Sequence, residues 1–406
     1  METRLELSNG QRIYVVSQGA EVSGYVVIDS MVAGRACGGL RMLPDVDREE
    51  MSGLARSMTL KYGFLGLPQG GAKAGVRGDS SSPRSARWPV LKDFAGAIAP
   101  LLKNRTYTPG ADMGTDNGDI RYLLHSVGFS IKRRELRENH SGYYTARTVL
   151  AGVIQAAGHL ALNLEGSTAA IEGFGKVGGA LAELLAGMKV RVVAISTSHG
   201  AIYDPLGLDV KQLTDRSARD GSRVVETYRG AKALPRAALL ELPVDLLCPC
   251  ARHNSVHLDN AGKVKARVIC PGANNPVTAA AERVLSERGV LCLPDFVTNC
   301  GGVLGGTMEF ASVGRSRIDA FIDQHVGKRI AWILEEADRR AVLPREIAEP
   351  VAMRRFQKVQ KEALRVTAKG RLFSFMLELY RRGYIPGPVV ATLSLPYFEK
   401  LLTQGS

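Results

Sequence analysis

The sequence of 406 residues contains no long hydrophobic run. Its apolar stretches, such as 190–196 and 290–293, are far shorter than the roughly 20 apolar residues of a membrane-spanning helix. Residues 1–6 include acidic side chains and no apolar core, so they do not resemble a signal peptide. These absences favour a cytoplasmic protein without a membrane partner.

Cysteine is scarce as well. The six cysteines, at positions 37, 248, 250, 270, 292 and 300, show neither the spacing of a disulfide framework nor that of a zinc site. We therefore expect reduced, mostly buried thiols, as in cytoplasmic enzymes, and no metal.

Acidic side chains are fewer than basic ones, 40 against 53, which gives a formal net charge of +13. A basic balance can favour nucleic acid or an anionic membrane surface. Here the basic residues are spread along the chain, so we expect no nucleic-acid partner. We interpret the positive field as favourable to anionic cofactors and carboxylate substrates. The hydrophobic content of 45% and the length are typical of a globular protein with two or three domains.

The pattern of predicted elements changes near residue 145. Before it, short strands such as 25–28 mix with a helical pattern over 49–61, and the serine-rich stretch 79–88 predicts a surface loop. From 145 to about 300, apolar strands alternate with helices, which predicts an α/β domain with a mostly parallel sheet. The predicted strands are 169–172, 190–196, 244–248, 267–270 and 290–293.

The chain becomes helical after residue 308. Turns are expected near Pro344 and Pro350, and the helical pattern over 318–336 is expected to close the first domain. The basic helical stretch 354–382 carries no motif, and we interpret it as a subunit contact.

A glycine-rich motif, Gly173-Phe174-Gly175-Lys176-Val177-Gly178, joins the first of these strands to a helix. In a G-x-G-x-x-G turn the first glycine permits the tight turn, the second lets a pyrophosphate approach the backbone, and the third allows close helix–strand packing. The free N–H groups of the helix N-terminus attract phosphate. Because a strand precedes the motif and a helix follows it, the motif predicts a dinucleotide site that includes Gly173, Gly175, Lys176, Val177 and Gly178.

The end of the next strand indicates which dinucleotide binds. Residues 193–200 contain no acid, whereas a carboxylate there would accept a hydrogen bond from the ribose 2′-hydroxyl of NAD and repel the 2′-phosphate of NADP. The stretch offers Ser196, Thr197 and His199 instead, and Arg191 is nearby. NADP and NAD both stay open, and the missing acid favours NADP slightly.

Two lysines and an aspartate are candidates for chemistry in the first domain. Lys61 and Lys73 flank an apolar run that ends in Pro68-Gln69-Gly70-Gly71, and Asp112 lies in a glycine-containing loop. A lysine among glycines and apolar residues is desolvated, which disfavours its charged form and allows it to accept a proton. Taken singly, each lysine is more often a surface residue, and the aspartate a loop cap.

Together these residues resemble the glutamate/leucine/phenylalanine/valine dehydrogenase family. The resemblance extends in unbroken order from about Gly24 to Phe310. The segments that carry it are Cys37-Gly38-Gly39-Leu40-Arg41-Met42, the two-lysine segment 58–75, Pro109-Gly110-Ala111-Asp112, Pro249-Cys250-Ala251, Gly272-Ala273-Asn274-Asn275-Pro276 and Pro294-Asp295-Phe296-Val297-Thr298-Asn299-Cys300-Gly301-Gly302-Val303.

The resemblance implies an NAD- or NADP-dependent enzyme that deaminates an L-amino acid oxidatively and reversibly, with release of ammonia. It implies a substrate-binding and oligomerisation domain over 1–144, a Rossmann-type doubly wound domain over 145–308, and a helical segment, 309–406, that packs back on the first domain. A homo-oligomer follows from the same resemblance, a dimer or a larger assembly such as a hexamer or octamer.

The family pattern also implies roles for single residues. Lys61 would hold the substrate α-carboxylate, Lys73 would activate water as the general base, and Asp112 would move a proton to and from the amino group. Further substrate contacts would be Cys37, Gly38, Gly39, Asn299, Val303 and Gly306. Further cofactor contacts would be Thr145, Ser196, Thr197, Ala251, Asn254 and Asn274.

Two departures from the glutamate-specific pattern bear on the substrate. Such relatives have a lysine where this chain has Cys37 and a serine where it has Gly306. A γ-carboxylate buried there would lack partners, which costs several kcal/mol, so we expect an apolar or aromatic amino acid. An acidic or polar substrate is the alternative, with Arg35 as the side-chain clamp if it shares a strand face with Cys37.

Two other classes of protein would show different residues. A non-catalytic, nucleotide-binding scaffold would be expected to have lost Lys61, Lys73 or Asp112, and all three are present. A dehydrogenase of hydroxy acids would need a histidine–carboxylate pair, and no histidine lies in a suggestive loop.

Overall fold

The computed structural model describes residues 1–132, 140–365 and 368–403. The chain divides into two compact units. Unit 1 comprises Met1–Asn139, Phe310–Ser312 and Val351–Ser406, and unit 2 comprises His140–Glu309 and Val313–Pro350. Within the described residues, no helix combines the length and apolar character needed to cross a membrane.

Unit 1 is built on a mixed six-stranded sheet. Its first elements are β1 (Glu2–Ser8), β2 (Gln11–Gln18), β3 (Glu21–Ile28), β4 (Ala36–Leu43), α1 (Arg48–Leu65), β5 (Gly70–Arg77), α2 (Arg84–Ala97), α3 (Ala99–Lys103), β6 (Tyr107–Ala111) and α4 (Asn117–Ser126). The strand order is β1-β2-β3-β5-β4-β6. The first four strands in that order pair antiparallel, and β4 lies parallel to both β5 and β6.

The two faces of this sheet carry separate cores, because alternate residues of a strand point to opposite faces. Leu40 and Ala74 pack with Phe94 of α2 on one face, whereas Val27 packs with Met51 and other residues of α1 on the opposite face. Asp47 caps the N-terminus of α1 by accepting a hydrogen bond from the Glu50 amide. The helix ends at Gly66, whose φ of 70° is left-handed and favours glycine.

The loop predicted over 79–88 ends earlier than expected. Asp79 accepts hydrogen bonds from Ser81 and Ser82, and α2 then begins at Arg84. Pro83 immediately precedes the helix, where its fixed φ and missing N–H do no harm. Serine and proline thus mark a helix start here, and the prediction of a loop through residue 88 was wrong.

Unit 2 has a seven-stranded sheet covered by helices. Its elements are α5 (Ser141–His159), β7 (Thr168–Glu172), α6 (Lys176–Gly187), β8 (Arg191–Thr197), β9 (Gly200–Tyr203), α7 (Val210–Asp220), α8 (Val224–Thr227), β10 (Lys232–Leu234), α9 (Arg236–Leu239), β11 (Leu246–Pro249), α10 (Leu258–Ala261), β12 (Val268–Ile269), α11 (Ala279–Glu287), β13 (Leu291–Cys292), α12 (Asp295–Thr298), α13 (Gly301–Phe310), α14 (Arg315–Phe321) and α15 (Gly327–Arg340). A 3-10 turn at Gly221–Arg223 precedes α8, and a π-helical turn at Ile322–Val326 joins α14 to α15.

The strand order in unit 2 is β10-β9-β8-β7-β11-β12-β13. The five predicted strands are present and parallel, which confirms the α/β fold class. The short strands β9 and β10 were not predicted, and they add an antiparallel edge next to β8. Because β8 and β11 flank β7 on opposite sides, the sheet has its topological switch point between β7 and β11.

The C-terminal segment differs from its expected course. The helices after α15 are α16 (Pro344–Ala363), α17 (Ala368–Arg382) and α18 (Gly387–Thr403). Residues 313–350 group with unit 2, because α15, whose buried side chains include Ile330 and Ile333, packs against α5. The helix over 318–336 therefore does not close the first domain. Residues 351–406 group with unit 1.

The two prolines of this region were expected at turns. Pro344 instead occupies the start of α16, where proline fits, and Pro350 lies inside that helix.

Candidate active site

Lys73 lies on the buried central strand β5 of unit 1, and only 2% of the residue is exposed. Its Nζ is 2.7 Å from Oδ2 of Asp112. Burial lowers the pKa of Lys73 and the charge of Arg41 adds to that effect, while the negative charge of Asp112 partly offsets it. The net result is a lysine that releases its proton more readily than an ordinary one.

Asp112 follows the last residue of β6, in a loop held by Thr115. The Thr115 hydroxyl accepts a hydrogen bond from the Asp112 amide at 3.0 Å and donates to the carbonyl of Leu40 at 2.8 Å. Burial on its own would raise the pKa of Asp112, but the positive charges of Lys73 and Arg41 outweigh burial and lower it. The carboxyl group is therefore held in its charged form.

Arg41 is the site residue that the sequence interpretation did not single out. Its Nε donates to Oδ2 of Asp112 at 3.0 Å, and its Nη1 makes a short ion pair with Glu50 in the first turn of α1. Arg41 and Glu50 are both buried. A buried arginine is rare without a partner, so the apolar surroundings of Arg41 on β4 were the signal that could have identified it.

The pair Gly38-Gly39 makes room for this arrangement. A Cβ on Gly38 would lie 1.6 Å from the carbonyl oxygen of Ala72, so a side chain there would push β4 away from β5. A Cβ on Gly39 would lie 2.7 Å from Cβ of Asp112 and 3.3 Å from Nζ of Lys73. Gly39 is thus in direct contact with the Lys73–Asp112 pair.

Lys61 and Cys37 lie on neighbouring elements of the same unit. Lys61 is buried near the C-terminal end of α1, and the next residue, Tyr62, is hydrogen-bonded to the Cys37 thiol. Burial raises the pKa of that thiol, although the Tyr62 hydrogen bond opposes the shift, so Cys37 is neutral. The buried hydroxyl of Tyr107 donates to the carbonyl of Gly38 at 3.1 Å.

Arg35 does not share a strand face with Cys37. It is exposed and lies in the tight turn before β4, where its backbone pairs with Val32. The expected geometry of a side-chain clamp on β4 was therefore wrong, because the strand begins one residue later, at Ala36.

The glycine motif in unit 2 forms the turn from β7 into α6. Gly173 has a φ of 92°, which favours glycine, and a Cβ there would meet the backbone of Ala251 at 2.9 Å. A Cβ on Gly178 would lie 1.8 Å from the carbonyl oxygen of Gly173, so the third glycine brings α6 against the strand.

At Gly175, by contrast, no atom of the described residues beyond its two chain neighbours lies within 4 Å of a built Cβ. The protein itself leaves this space empty at the N-terminus of α6, as a bound pyrophosphate requires. The loop therefore fits a dinucleotide. Lys176 and Val177 form the first turn of α6, and Val177 lies beside Gly272.

Ser196 and Thr197 at the end of β8 are both buried. The Ser196 hydroxyl accepts from the amide of Gly173 at 3.1 Å, so it supports the glycine turn. The Thr197 hydroxyl donates to the carbonyl of Ser222 at 2.6 Å and accepts from the amide of His199 at 3.1 Å. Thr197 thus organises the turn with two hydrogen bonds of its own.

Charged side chains surround this turn, and the sequence interpretation missed two of them, Arg223 and Glu226. Nδ1 of His199 lies 3.3 Å from Oε1 of Glu226, and Nε of Arg223 lies 2.9 Å from Oε2 of the same glutamate. Arg223 is largely exposed. Arg223 and Glu226 come from the 3-10 turn and α8, so no spacing along β8 could have revealed them.

The other predicted cofactor and substrate residues of unit 2 form two groups. The Thr145 hydroxyl donates to the Ser141 carbonyl, and a Cβ on Gly302 would lie 2.7 Å from that hydroxyl. The buried Asn299 donates from Nδ2 to the Ala273 carbonyl at 2.7 Å and to Oδ1 of Asn274 at 3.0 Å. Asn299 therefore orients Asn274.

The remaining predicted residues have these positions. Asn254 adopts a left-handed conformation with φ 52°, and its amide donates to the Asn275 carbonyl. Val303 and Gly306 lie on the half-buried side of α13. The structure thus brings together Gly39, Arg41, Lys73 and Asp112 in unit 1, and Gly173, Gly178, Ser196 and Ala251 in unit 2.

Comparisons with known proteins bear on both units. Residues 139–363 match the family model described as glutamate/leucine/phenylalanine/valine dehydrogenase, and residues 14–128 match the dimerisation domain of the same family. The chain is 32% identical over 384 residues to an NADP(+)-dependent glutamate dehydrogenase of Pyrobaculum calidifontis, with 89% of this chain and 87% of the relative covered. It is 33% identical to an NAD-specific glutamate dehydrogenase of Staphylococcus aureus, with 71% and 72% covered.

Solved structures share the fold. The hetero-hexameric glutamate dehydrogenase of Thermus thermophilus aligns with a TM-score of 0.72 at 24% identity, covering 87% of this chain and 88% of that one. The L-tryptophan dehydrogenase of Nostoc punctiforme aligns with a TM-score of 0.58 at 21% identity, covering 87% and 97%.

Proposed function

The chain belongs to the glutamate/leucine/phenylalanine/valine dehydrogenase family and is an amino-acid dehydrogenase that uses NAD or NADP, and we propose that its substrate is an L-amino acid with an apolar or aromatic side chain. The reaction is the reversible conversion of the amino acid to the 2-oxo acid and ammonia. The observation that carries the substrate proposal is the neutral Cys37 thiol on β4, in the same strand as the Gly38-Gly39 pair that borders Lys73 and Asp112.

The chemistry requires an anion clamp, a base and a proton carrier. Lys61 would pair with the substrate α-carboxylate. Lys73 would take a proton from the water that attacks the iminium carbon of the substrate, and Asp112 would accept a proton from the amino group and return it. The dinucleotide, held by Gly173, Gly175 and Gly178, supplies the hydride acceptor when bound.

The contacts of Lys73 support its role as the base. A lysine can accept a proton only when it is neutral. Burial, together with the charge of Arg41, favours the neutral form of Lys73. Oδ2 of Asp112, at 2.7 Å, accepts a hydrogen bond from Lys73 and stabilises the ammonium group that forms when Lys73 takes up the proton. Arg41 holds the same oxygen, which keeps Asp112 oriented toward Lys73 when the proton moves.

The substrate side chain is proposed from the chemistry of Cys37. A γ-carboxylate beside this thiol would lose its water without meeting a cation, which costs several kcal/mol. An alkyl or aryl group would instead gain about 25 cal/mol for each Å² of apolar surface that it buries. Gly306 adds no polar group of its own from α13.

Glutamate is the second candidate, favoured by the names of the relatives. Three relatives with 32–35% identity are glutamate dehydrogenases. Arg35 would then have to reach the γ-carboxylate from the exposed turn before β4.

A screen of the twenty L-amino acids with NAD and with NADP, read by absorbance of the reduced cofactor, tests the proposal. We expect leucine, valine, phenylalanine or tryptophan to exceed glutamate in kcat/KM by about tenfold or more, a difference of only about 1.4 kcal/mol. Glutamate as the best substrate would establish the second candidate. Turnover of none of the twenty, with dinucleotide bound, would favour the non-catalytic scaffold.

We also propose that unit 1 forms a subunit interface of a homo-oligomer. The match of residues 14–128 to a dimerisation domain supports this, as does the description of the Thermus thermophilus relative as hetero-hexameric. Exposed apolar side chains on α17 and α18, such as Phe375 and Leu393, add an apolar surface of the kind that subunits cover. Sedimentation velocity tests this proposal, and a folded protein that sediments only as a monomer would contradict it.

A further inference from the structure

Glu172 is the last residue of β7 and immediately precedes Gly173 of the dinucleotide turn. In the sheet register it pairs with Pro249, the last residue of β11. The carboxyl ends of these two strands form the topological switch point of unit 2, which is where open α/β sheets bind their ligands. A carboxyl group at this edge is therefore next to the place that the pyrophosphate must occupy.

The carboxyl group is buried and only partly satisfied. It is hydrogen-bonded to Ser255 in the loop after β11, but its Oε2 is buried with no hydrogen-bond partner among the described residues. A buried carboxylate oxygen without a partner costs free energy, so such an atom is expected to find its partner in a ligand or to carry a proton. Burial raises the pKa of Glu172 to about 7, against the smaller opposing effects of Ser255 and Arg236.

Among the described residues, Arg236 is the positive charge that acts on Glu172, and its effect is smaller than that of burial. The Cys250 thiol, just after β11, interacts with it, as do the Ser255 hydroxyl of the following loop and, at longer range, the exposed Arg236 of α9. On the β8 side, the Ser196 hydroxyl is bonded to the Gly173 amide. An ionised Glu172 would thus face the phosphates of a dinucleotide as an unneutralised like charge.

We propose that Glu172 takes part in dinucleotide binding as a neutral carboxylic acid whose O–H donates a hydrogen bond to an oxygen of the cofactor, so that binding takes up a proton. The inference rests on the proposed function, because it concerns the same cofactor site. It assigns to dinucleotide binding a further residue, Glu172, and the uptake of a proton, neither of which the glycine motif requires.

The sign of the pH dependence follows from linkage. The cofactor complex raises the pKa of Glu172 above its value of about 7 in the free protein. The affinity for the dinucleotide is then highest below pH 7. It falls as the pH rises, by up to about tenfold per pH unit, until the pH exceeds the pKa of Glu172 in the complex.

The test measures the Kd of NADH from pH 6 to 9 by its fluorescence, since NADH lacks the 2′-phosphate that titrates near pH 6. We expect the wild-type affinity to fall above pH 7 and Glu172→Gln to bind equally at every pH. The matched control is Glu183→Gln, an exposed glutamate of α6, which should keep the wild-type curve. Ser255→Ala removes a hydrogen bond that lowers the pKa of Glu172, so it should move the midpoint to higher pH.

Calorimetry of NADH binding to the wild-type protein at pH 7.5 in two buffers of different ionisation enthalpy counts the protons directly, and needs no variant to fold. Uptake of a fraction of a proton is expected. An affinity that rises with pH, no proton uptake, or a wild-type slope in Glu172→Gln would overturn the inference. If NADH and NADPH bind at no pH, the proposed function itself fails, whereas binding and turnover without a slope reject only the role of Glu172.

Discussion

Gly39 of β4 lies beside Asp112, the residue after the parallel strand β6: a Cβ on Gly39 would lie 2.7 Å from Cβ of Asp112, well inside van der Waals contact. We predict that Gly39→Ala displaces Asp112 from Lys73 and lowers kcat by about 10²-fold, since a shift near 1 Å at a catalytic group has that effect. Gly96→Ala in α2 is the control, because no atom lies within 4 Å of its built Cβ. Equal steady-state rates for the two variants would contradict the assignment of this contact to catalysis.

Lys73→Ala should abolish turnover and leave NADPH binding nearly unchanged, because the dinucleotide turn belongs to unit 2. General-base catalysis contributes about 10²–10⁴-fold, so kcat measured with the best amino acid should fall by at least that factor. Lys92→Ala, an exposed lysine of α2, is the matched control. A variant that keeps more than about a tenth of the wild-type kcat would remove Lys73 from the role of base.

Arg41→Met should move the acidic limb of the pH profile of kcat/KM toward higher pH, because the reaction needs Lys73 neutral and Asp112 ionised. The charge of Arg41 helps to lower the pKa of Lys73 and the pKa of Asp112, so its loss raises both values. The profile is measured by initial rates between pH 5 and 11. An unchanged acidic limb, or a shift of it toward lower pH, would show that Arg41 does not act on these groups.

The same variant tests the buried ion pair with Glu50. Removal of one partner of a buried pair typically costs about 3–5 kcal/mol, whereas replacement of both by apolar residues is often neutral. Arg41→Met should therefore lower Tm strongly, and Arg41→Met combined with Glu50→Leu should recover much of the loss. The Tm of both variants is measured by calorimetry. An equal Tm for the two would show that the unpaired Glu50 is not the cause of the lost stability.

For the cofactor, we predict that the unmodified protein uses NADP at least as well as NAD, and that Arg223→Ala lowers this preference by about tenfold, the effect of a hydrogen bond to a charged group. Arg223 is exposed beside the turn after β8 and is tied to Glu226. Arg219→Ala, an exposed arginine of α7, is the control. The measurement is the ratio of kcat/KM for NADP to kcat/KM for NAD. If Arg223→Ala leaves this ratio unchanged, Arg223 does not contribute to the preference for NADP.

If the substrate side chain lies beside Cys37 as proposed, the specificity of the enzyme can be changed toward glutamate. Cys37→Lys combined with Gly306→Ser should raise kcat/KM for glutamate and lower it for the best apolar amino acid, because a buried carboxylate then gains a charged partner. Cys292→Ala serves as a control for loss of a buried thiol elsewhere in the chain. If the double variant folds with a wild-type Tm and glutamate activity does not rise, Cys37 and Gly306 do not face the substrate side chain.

Much of the dinucleotide-binding unit could be predicted from local pattern. Its parallel strands are continuous apolar runs, and the spacing of Gly173, Gly175 and Gly178 follows from steric needs that operate within six residues. Where predictions failed, the structure depends on contacts between residues that are far apart in the sequence. Strands β9 and β10 are too short to show a period, and residues 313–350 join unit 2 because α15 finds its apolar partner in α5.

The residue types of the candidate site, two lysines and an aspartate among glycines, were determined by the sequence alone, since desolvation and loop chemistry follow from neighbours along the chain. Their partners were decided only by the tertiary structure. Parallel pairing of β4 with β5 and β6 brings Arg41 and Gly39 to the Lys73–Asp112 pair, and the turn before α8 brings Arg223 and Glu226 to the end of β8. Charges act through space, so the pKa values that matter for the chemistry depend on neighbours that no spacing in the sequence records.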